Sequence, residues 1–307
     1  MAKAVESYHR VSNTQRDVDA TPLTGDTTKA LRLELKSNNP SVNKTLGKSL
    51  SHNLPDSNCT RSEGGHVSAY YSDKLSATRL KQAYETAPAR VRQYLDAEVT
   101  HVLEKIHPGD LVVELGCGYG RIIPRLAAKA GWVVGIDTSV ASLEYAQETL
   151  EIPNCSLSRM NAVKLGFCEG AFDCVVCIQN GISAFHVDQQ ALIIESVRVA
   201  KAGATILFSS YSERFWKNRL EWFELQSKAG LVGEIDYEKT GDGVIVCKDG
   251  FTATTVSSDH FLALTAQLHA DVRIVEVDES SLFCEIARDP QSSSALHPQV
   301  KETPQTK

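Results

Sequence analysis

A glycine-rich segment between two apolar runs places the strongest constraint on how this chain can fold. Residues 114–121 read ELGCGYGR, after the short apolar run LVV and before IIPRLAA. Glycine has no Cβ and tolerates positive φ angles, so a ligand can lie close to the backbone of such a loop. The segment therefore predicts a strand, a tight loop and a helix in that order, with a ligand bound at the loop.

Short apolar runs alternate with helical patterns along most of the remaining sequence. The run FDCVVCI is uninterrupted, which is typical of a strand covered on both faces of a sheet. Strand–helix alternation predicts an α/β fold with a doubly wound, mostly parallel sheet of seven strands. Five parallel strands and a final hairpin are predicted at 111–115, 132–137, 156–160, 172–178, 205–210, 272–277 and 281–287.

The connecting segments are predicted from helical spacing and from turn residues. Apolar residues recur at helical spacing before the first strand, and further helices are predicted over 121–130 and from the cap residue Ser139 to Leu150. The sequence KAGA at 201–204 predicts a turn before the fifth strand.

Both ends of the chain differ in composition from its middle. Residues 1–66 are rich in Ser, Thr, Asn and Lys and contain no Phe or Trp, so they offer too little apolar surface to offset the chain entropy lost on folding. The segment 289–307 is also polar and contains proline. We therefore expect 1–66 and 289–307 to be disordered and one folded domain to occupy 67–288.

Charge and hydropathy exclude several classes of partner. The net charge of −6 argues against general nucleic-acid binding, which requires a basic surface. No apolar run reaches the ~18 residues of a membrane span, and the first residues have no apolar signal-peptide core. We expect a cytoplasmic protein without a membrane or nucleic-acid partner, and the sequence does not indicate an oligomeric state.

The eight cysteines are scattered and do not predict a disulfide framework or a metal site. In a reducing compartment most are expected to be free thiols. Cys174 and Cys177 form a CxxC pair, but both belong to a predicted strand. Residues three apart on a strand point to opposite faces, so this pair cannot share a metal ion or form a disulfide.

The spacing of the glycines excludes two familiar phosphate-binding loops. A P-loop requires GxxxxGK[ST], and no lysine follows the glycines here. The dinucleotide fingerprint GxGxxG has its last glycine where this chain has Arg121. The observed spacing is GxGxG, with Glu114 two residues before the first glycine.

ELGCGYGR, followed in order by GID at 135–137, FDCVVCIQN and KAGA, resembles the motifs of the class I S-adenosylmethionine-dependent methyltransferases. The resemblance extends over about 67–288 and implies a Rossmann-like sheet and S-adenosylmethionine as the cofactor. It also implies that the cofactor is contacted by Tyr71, Glu114, Gly116, Cys117, Gly118, Gly120, Arg121, Asp137, Thr138, Asn161, Ala162, Ile178 and Gln179.

Several of these residues have a specific role in the family. Glu114 would order the loop at the amino end of the methionine portion, and Arg121 would help to orient its carboxylate. Asp137 would accept hydrogen bonds from both ribose hydroxyls, which suits a group with two acceptor oxygens. Asn161 would face the adenine amino group, and Tyr71 would close over the cofactor unless it serves only in helix packing.

The sequence after the fourth strand bears on the acceptor. Enzymes that methylate amino groups of nucleic-acid bases usually have a (D/N)PPY-type motif there, whereas this chain has QNGI. CIQNGISAFH resembles glycine N-methyltransferase and related small-molecule enzymes. Asn180 would then face the transferable methyl group, and His186 is a candidate general base, with a purely structural role as the alternative.

An insert of about 45 residues, 211–255, follows the fifth strand and holds many of the aromatic residues. Such inserts cap the cofactor in the family, and the GDG sequence at 241–243 predicts a hairpin within it. The related enzymes hold a carboxylate with an arginine just beyond this strand, and Arg214 is the nearest candidate here. The residues expected to bind the acceptor are Asn180, Tyr211, Arg214, Trp216 and Tyr237.

The sequence therefore predicts an S-adenosylmethionine-dependent methyltransferase with a small-molecule acceptor, methylated at nitrogen, sulfur or oxygen by in-line transfer. CIQNGISAF favours nitrogen slightly. One alternative is a non-catalytic protein with the methyltransferase fold that acts through partners. The other is a protein methyltransferase, which would need an open acceptor site.

Overall fold

The computed structural model describes residues 70–289 of the chain. The segment 1–66 and all but the first residue of 289–307, both predicted to be disordered, lie outside the described residues. No helix within 70–289 is long and apolar enough to cross a membrane. The predicted α/β architecture with a seven-stranded, mostly parallel sheet is confirmed.

The sheet has the strand order β3-β2-β1-β4-β5-β9-β8, and a separate two-stranded ribbon pairs β6 with β7. The strands β1 to β5 are parallel neighbours, whereas β9 runs antiparallel to both β5 and β8. The strand bounds are β1 Leu111–Leu115, β2 Trp132–Asp137, β3 Cys155–Arg159, β4 Phe172–Cys177, β5 Ala200–Tyr211, β6 Ile245–Val246, β7 Thr252–Ala253, β8 Ala270–Val277 and β9 Ser281–Arg288.

The helices follow the predicted alternation with some shifted ends. The stretch predicted to be helical before β1 is divided in two at Pro88, which has no N–H and directly precedes the first residue of the second helix. The predicted cap Ser139 accepts a hydrogen bond from the Ser142 N–H at 3.2 Å. The helix bounds are α1 Tyr70–Asp73, α2 Ala77–Glu85, α3 Ala89–Lys105, α4 Ile123–Ala127, α5 Val140–Thr149, α6 Gly181–Ala184, α7 Gln189–Val199, α8 Trp216–Lys228 and α9 Ser258–Thr265.

Helices cover both faces of the sheet, as the uninterrupted apolar run of β4 predicts. One core packs α3, α4 and α5 against the sheet, and the other packs α7 and α9 against the opposite face. Cys174 belongs to the first core and Cys177 to the second, which confirms that the CxxC pair points to opposite faces.

The sequence predicts a turn at KAGA before the fifth strand, and this prediction is wrong. β5 begins at Ala200 and includes the whole of this segment. Ala200 pairs with Phe172 and Thr205 with Cys174, so three extra residues of β5 bulge out between these two pairs. Gly203 has a φ of +78° and provides the bend, and backbone pairing resumes beyond it.

The strand order reverses between β1 and β4, which are adjacent although two strands separate them in sequence. Loops that leave two neighbouring parallel strands at such a point diverge, and ligands bind in the crevice between them. The carboxyl ends of β1 and β4 therefore mark the place for a functional site, and the glycine loop leaves β1 there.

The insert 211–255 packs mainly on the N-terminal helices. The Trp222 indole N–H donates to the Ala83 carbonyl of α2 at 3.0 Å, and Phe223 packs against the Phe251 ring. The GDG sequence forms a tight turn in which Gly241 and Val244 exchange two backbone hydrogen bonds. The β6–β7 ribbon lies after this turn and reverses direction near Gly250.

The interior strand β5 allows a direct test of the packing. Ile206 is fully buried, whereas Ile194 on α7 is 37% exposed. We expect Ile206→Ala to lower the free energy of unfolding by roughly 2–5 kcal/mol, because it removes buried methylene groups and leaves a cavity. Ile194→Ala is the matched control. Urea denaturation of both variants checks this, and equal losses would contradict the described burial.

Candidate functional site

The glycine loop after β1 is attached to the end of β2 by backbone hydrogen bonds. The N–H groups of Gly116 and Cys117 both donate to the Ile136 carbonyl, at 2.8 and 2.9 Å. The Gly118 N–H donates to Oδ2 of Asp137 at 2.8 Å. The loop and the acid predicted to bind ribose therefore form one unit.

The loop glycines are required by the protein's own packing as well as by any ligand. Gly116 and Gly120 have φ angles of +73° and +79°. A Cβ on Gly116 would come within 2.4 Å of the Phe185 ring, and one on Gly120 within 2.4 Å of Leu150. From the sequence, these glycines are explained by the close approach of a ligand. The packing of the loop is a second reason why a side chain is not tolerated at these positions.

Asp137 keeps acceptor capacity after these contacts. Its second oxygen, Oδ1, accepts from the Ser139 N–H at 2.8 Å. Burial raises the pKa of Asp137, and the backbone N–H groups of Ser139, Gly118 and Thr138 oppose that rise. Each carboxylate oxygen has two lone pairs, so one N–H bond on each leaves room for a further donor.

Glu114 is a buried carboxyl group near the end of β1. It pairs with Val176 of β4, and its Oε2 has no hydrogen-bond partner among the described residues. Burial raises the pKa of Glu114 to about 8; the nearby Arg121 charge opposes this rise and Asp137 adds to it. An unpartnered buried oxygen is costly, so this group is suited to a cationic ligand.

Two unpartnered donors accompany this acceptor. Nη2 of Arg121 and Nε2 of Gln179 are buried and have no hydrogen-bond partner in the described part of the chain. Tyr84 lies between them, because its ring lies 4.7 Å from the Arg121 guanidinium carbon and its hydroxyl donates to Oε1 of Gln179 at 2.9 Å. One acid and two N–H donors match the ammonium and the carboxylate of an amino acid, such as the methionine portion of S-adenosylmethionine.

The backbone after β4 adopts two consecutive left-handed conformations, at Gln179 with φ 56° and Asn180 with φ 62°. The Gln179 N–H donates to Oε2 of Glu98 at 3.0 Å and to Oγ of Ser209 at 2.8 Å. The Asn180 amide donates to the Thr254 carbonyl and accepts from the Ser210 hydroxyl, both at 2.8 Å. Asn180 therefore joins β4 to β5 and to the end of the insert.

Glu98 is a site residue that sequence reasoning missed. It is fully buried on α3, and Oε1 accepts from the Ser281 hydroxyl at 2.9 Å. Burial raises the pKa of Glu98 to about 7, against the lowering effect of its hydrogen bonds. A signal was present, because Glu98 falls on the same helical stripe as the apolar residues Val91, Leu95 and Val102.

Most of the remaining cofactor candidates follow the carboxyl ends of neighbouring strands. Asn161 follows β3, which neighbours β2, and its Oδ1 accepts from the Val163 N–H at 3.1 Å. Thr138 is exposed, and Ala162 and Ile178 are buried. The ring centroid of Tyr71 lies 6.0 Å from that of Phe251 in the insert. Their contacts with a cofactor stay a prediction.

The candidates for acceptor binding separate into two groups. Tyr211 and Trp216 lie beside Arg219, whose guanidinium carbon is 4.5 and 5.9 Å from their ring centroids. Arg214 forms surface ion pairs with Glu276 and Glu279. Tyr237 is 63% exposed and donates to a glutamate on α8. The structure does not bring Arg214 and Tyr237 to the other site residues.

His186 lies after α6 with a φ of +50°. Burial lowers its pKa, which favours the neutral imidazole near pH 7, and the ring forms no hydrogen bond to a described residue. Its role as a base stays a prediction. No group of three or more His, Cys, Asp or Glu residues within 70–289 is arranged to hold a metal ion.

Comparison with known proteins shows which family part of this chain resembles. Residues 112–203 match the family model of the methyltransferase domain. A ubiquinone biosynthesis O-methyltransferase from Hahella chejuensis is 35% identical over 107 residues, which are 34% of this chain and 44% of that protein. The chain thus aligns with less than half the length of this curated relative.

Solved structures share the fold. A putative S-adenosylmethionine-dependent methyltransferase from Methanococcus maripaludis covers 75% of this chain and 98% of its own, with 14% identity and a TM-score of 0.53. The complex of DhpI with SAM and HEP covers 73% and 99%, with 18% identity and a TM-score of 0.51. The resemblance to class I S-adenosylmethionine-dependent methyltransferases that the motifs indicate is confirmed, and the matched methyltransferase domain spans residues 112–203.

The raised pKa of Glu114 generates a prediction about stability. A carboxyl group whose pKa rises from 4.5 to about 8 holds a proton that the unfolded chain has already lost. Its contribution to stability is therefore present at low pH and is lost as the pH rises between these values. Without added ligand, we expect Glu114→Gln to reduce the fall in melting temperature between about pH 5 and about pH 8.

Thermal unfolding across this pH range checks the effect, with Glu144→Gln on the exposed side of α5 as the matched control. The control should follow the wild type. A Glu114→Gln variant with the full wild-type slope would contradict the described environment of Glu114. Glu98, whose pKa is raised in the same direction, accounts for part of the pH dependence of the melting temperature that remains in Glu114→Gln.

Proposed function

We propose that this protein transfers the methyl group of S-adenosylmethionine to a small-molecule acceptor. The observation that carries the proposal is the hydrogen bond between Tyr84 and Gln179, because it would join the predicted cofactor side of the site to the predicted acceptor side. The Arg121 guanidinium, whose Nη2 is unpartnered, lies against the ring of Tyr84. The Tyr84 ring also lies beside Trp222 of the insert, with ring centroids 5.8 Å apart.

A small acceptor is supported by the aromatic layer around this bond. Tyr84, Tyr211, Phe215 and Trp222 belong to one buried cluster that α8 covers. A folded protein or a nucleic acid would need an open edge here, whereas small ligands are bound in enclosed, largely apolar sites. The Hahella relative, named for O-methylation in ubiquinone biosynthesis, gives separate support for a small acceptor.

The cofactor, when bound, supplies an electrophilic methyl group on a sulfonium centre. Asp137 would then accept hydrogen bonds from the ribose, Glu114 would contact the ammonium group, and Arg121 would contact the carboxylate. The aromatic layer would exclude water and align the acceptor, and such positioning accounts for much of the rate of a two-substrate reaction. These roles follow from donor and acceptor chemistry at the site.

A neutral acceptor must also lose a proton. His186 is our candidate base, because burial lowers its pKa and leaves the ring able to accept a proton near neutral pH. Asn180 is expected to position the backbone after β4, since both ends of its amide already have partners. The sequence CIQNGISAF favours nitrogen as the methylated atom, whereas the Hahella relative is named for oxygen.

Transfer of a labelled methyl group tests the proposal. The full chain is incubated with labelled S-adenosylmethionine and separate pools of small metabolites, protein and RNA, and the metabolite pool is divided into amines, alcohols, phenols and thiols. We expect label in the small-molecule pool only. Label confined to protein or RNA, or no transfer to any pool, would contradict the proposal.

Asp137→Asn should reduce this transfer and weaken binding of S-adenosylhomocysteine by about tenfold or more, because it removes the charge that strengthens hydrogen bonds to the ribose. Asp173→Asn is the control. Asp173 lies at the start of β4, at the amino ends of the parallel strands and away from the glycine loop. Its side chain accepts a hydrogen bond from the Leu111 N–H. Transfer and binding should be close to wild type in this control.

A further inference from the structure

A buried arginine in the insert indicates which acceptors this site would take. The Arg219 side chain on α8 is 1% exposed. Its two Nη atoms donate to backbone carbonyls, Nη1 to Gly243 at 2.7 Å and Nη2 to Ala253 at 2.9 Å. The Nε atom is also buried and has no hydrogen-bond partner among the described residues.

No carboxylate neutralises this charge within residues 70–289. The ion pairs of the described chain include Arg214, five residues earlier, but not Arg219. The ionisable side chains that act on Arg219 are Tyr211, Tyr94 and Tyr71. Burial raises the pKa of each of these phenols, so they are neutral near pH 7. A buried guanidinium with neutral partners only is costly, and an anionic ligand would remove that cost.

Arg219 lies on the acceptor side of the site. Its Nη2 and Nδ2 of Asn180 share the Thr254 carbonyl oxygen, at 3.4 and 2.8 Å respectively. The guanidinium is therefore close to the end of β4, where the acceptor is placed by the proposed function. The unpartnered donor of Arg121 is linked to this region through the Tyr84 ring, on the side assigned to the cofactor.

We propose that Arg219 binds a carboxylate of the acceptor, so that the substrate class is small organic acids. The inference rests on the proposed function, because it names the substrate of that same site. A carboxylate matches a single guanidinium in charge and in planar shape. A phosphate group carries more negative charge and would need further cationic side chains around it. Arg219 is the only Lys or Arg among the fully or nearly fully buried residues of 70–289.

Matched pairs of acids and amides test this inference. The full-length protein, loaded with S-adenosylhomocysteine, is titrated with acetate and acetamide, benzoate and benzamide, and phenylacetate and phenylacetamide. We expect the acid to bind at least about tenfold more tightly than its amide in the pair that fits the site. Arg219→Met should abolish the preference, Arg219→Lys should keep part of it, and Arg273→Met on β8 should leave it unchanged.

Equal binding of acid and amide in all three pairs, or an undiminished preference in Arg219→Met, overturns the inference. Loss of the bonds to Gly243 and Ala253 could prevent Arg219→Met from folding. In that case the wild-type comparison and Arg219→Lys decide, because a purely structural arginine produces no preference for acids.

Binding of S-adenosylhomocysteine alone separates this inference from the proposed function. Normal cofactor binding without a preference for acids removes only the inference about Arg219. If wild-type protein binds no S-adenosylhomocysteine, the proposed function fails. The acid and amide titrations are then repeated without it, and an Arg219-dependent preference would still establish the carboxylate site.

Discussion

Two consecutive residues after β4, both in the left-handed backbone conformation, connect the sheet to an N-terminal helix and to the insert. Gln179 and Asn180 are not glycines, so each conformation costs about 1–3 kcal/mol unless its surroundings stabilise it. The Gln179 N–H is shared between Glu98 of α3 and Ser209 of β5, and the Asn180 amide reaches Thr254. A change at this junction would alter both sides of the site, because Gln179 also contacts Tyr84.

The charges of the site are arranged around this junction. Glu114 and Glu98 are buried carboxyl groups with pKa values raised to about 8 and about 7 by burial. Arg121 lies on the side of the glycine loop, and Arg219 lies on the side of the insert, with tyrosine rings against both. Under the proposed function, Glu114 and Arg121 would hold the cofactor, and Arg219 would hold the acceptor.

Apolar runs allowed most strands to be predicted to within one or two residues, and both β1 and β2 have their predicted bounds. The turn at KAGA was wrong because backbone pairing between β4 and β5 continues on both sides of a bulge. Glu98 and Arg219 were not predicted, since their burial depends on partners distant in sequence, such as Ser281. Helical spacing held a signal for Arg219, which shares a stripe with the buried Phe215 and Trp222.

The central claim is that the glycine loop, with Glu114, Arg121 and Gln179, holds the amino-acid portion of the cofactor. Calorimetric titration with S-adenosylhomocysteine and with 5′-methylthioadenosine, which has the same nucleoside but no amino acid, tests it most directly. We expect S-adenosylhomocysteine to bind about a hundredfold more tightly, which corresponds to roughly 2.7 kcal/mol from two charge-assisted contacts. Equal affinity for the two compounds would contradict the claim.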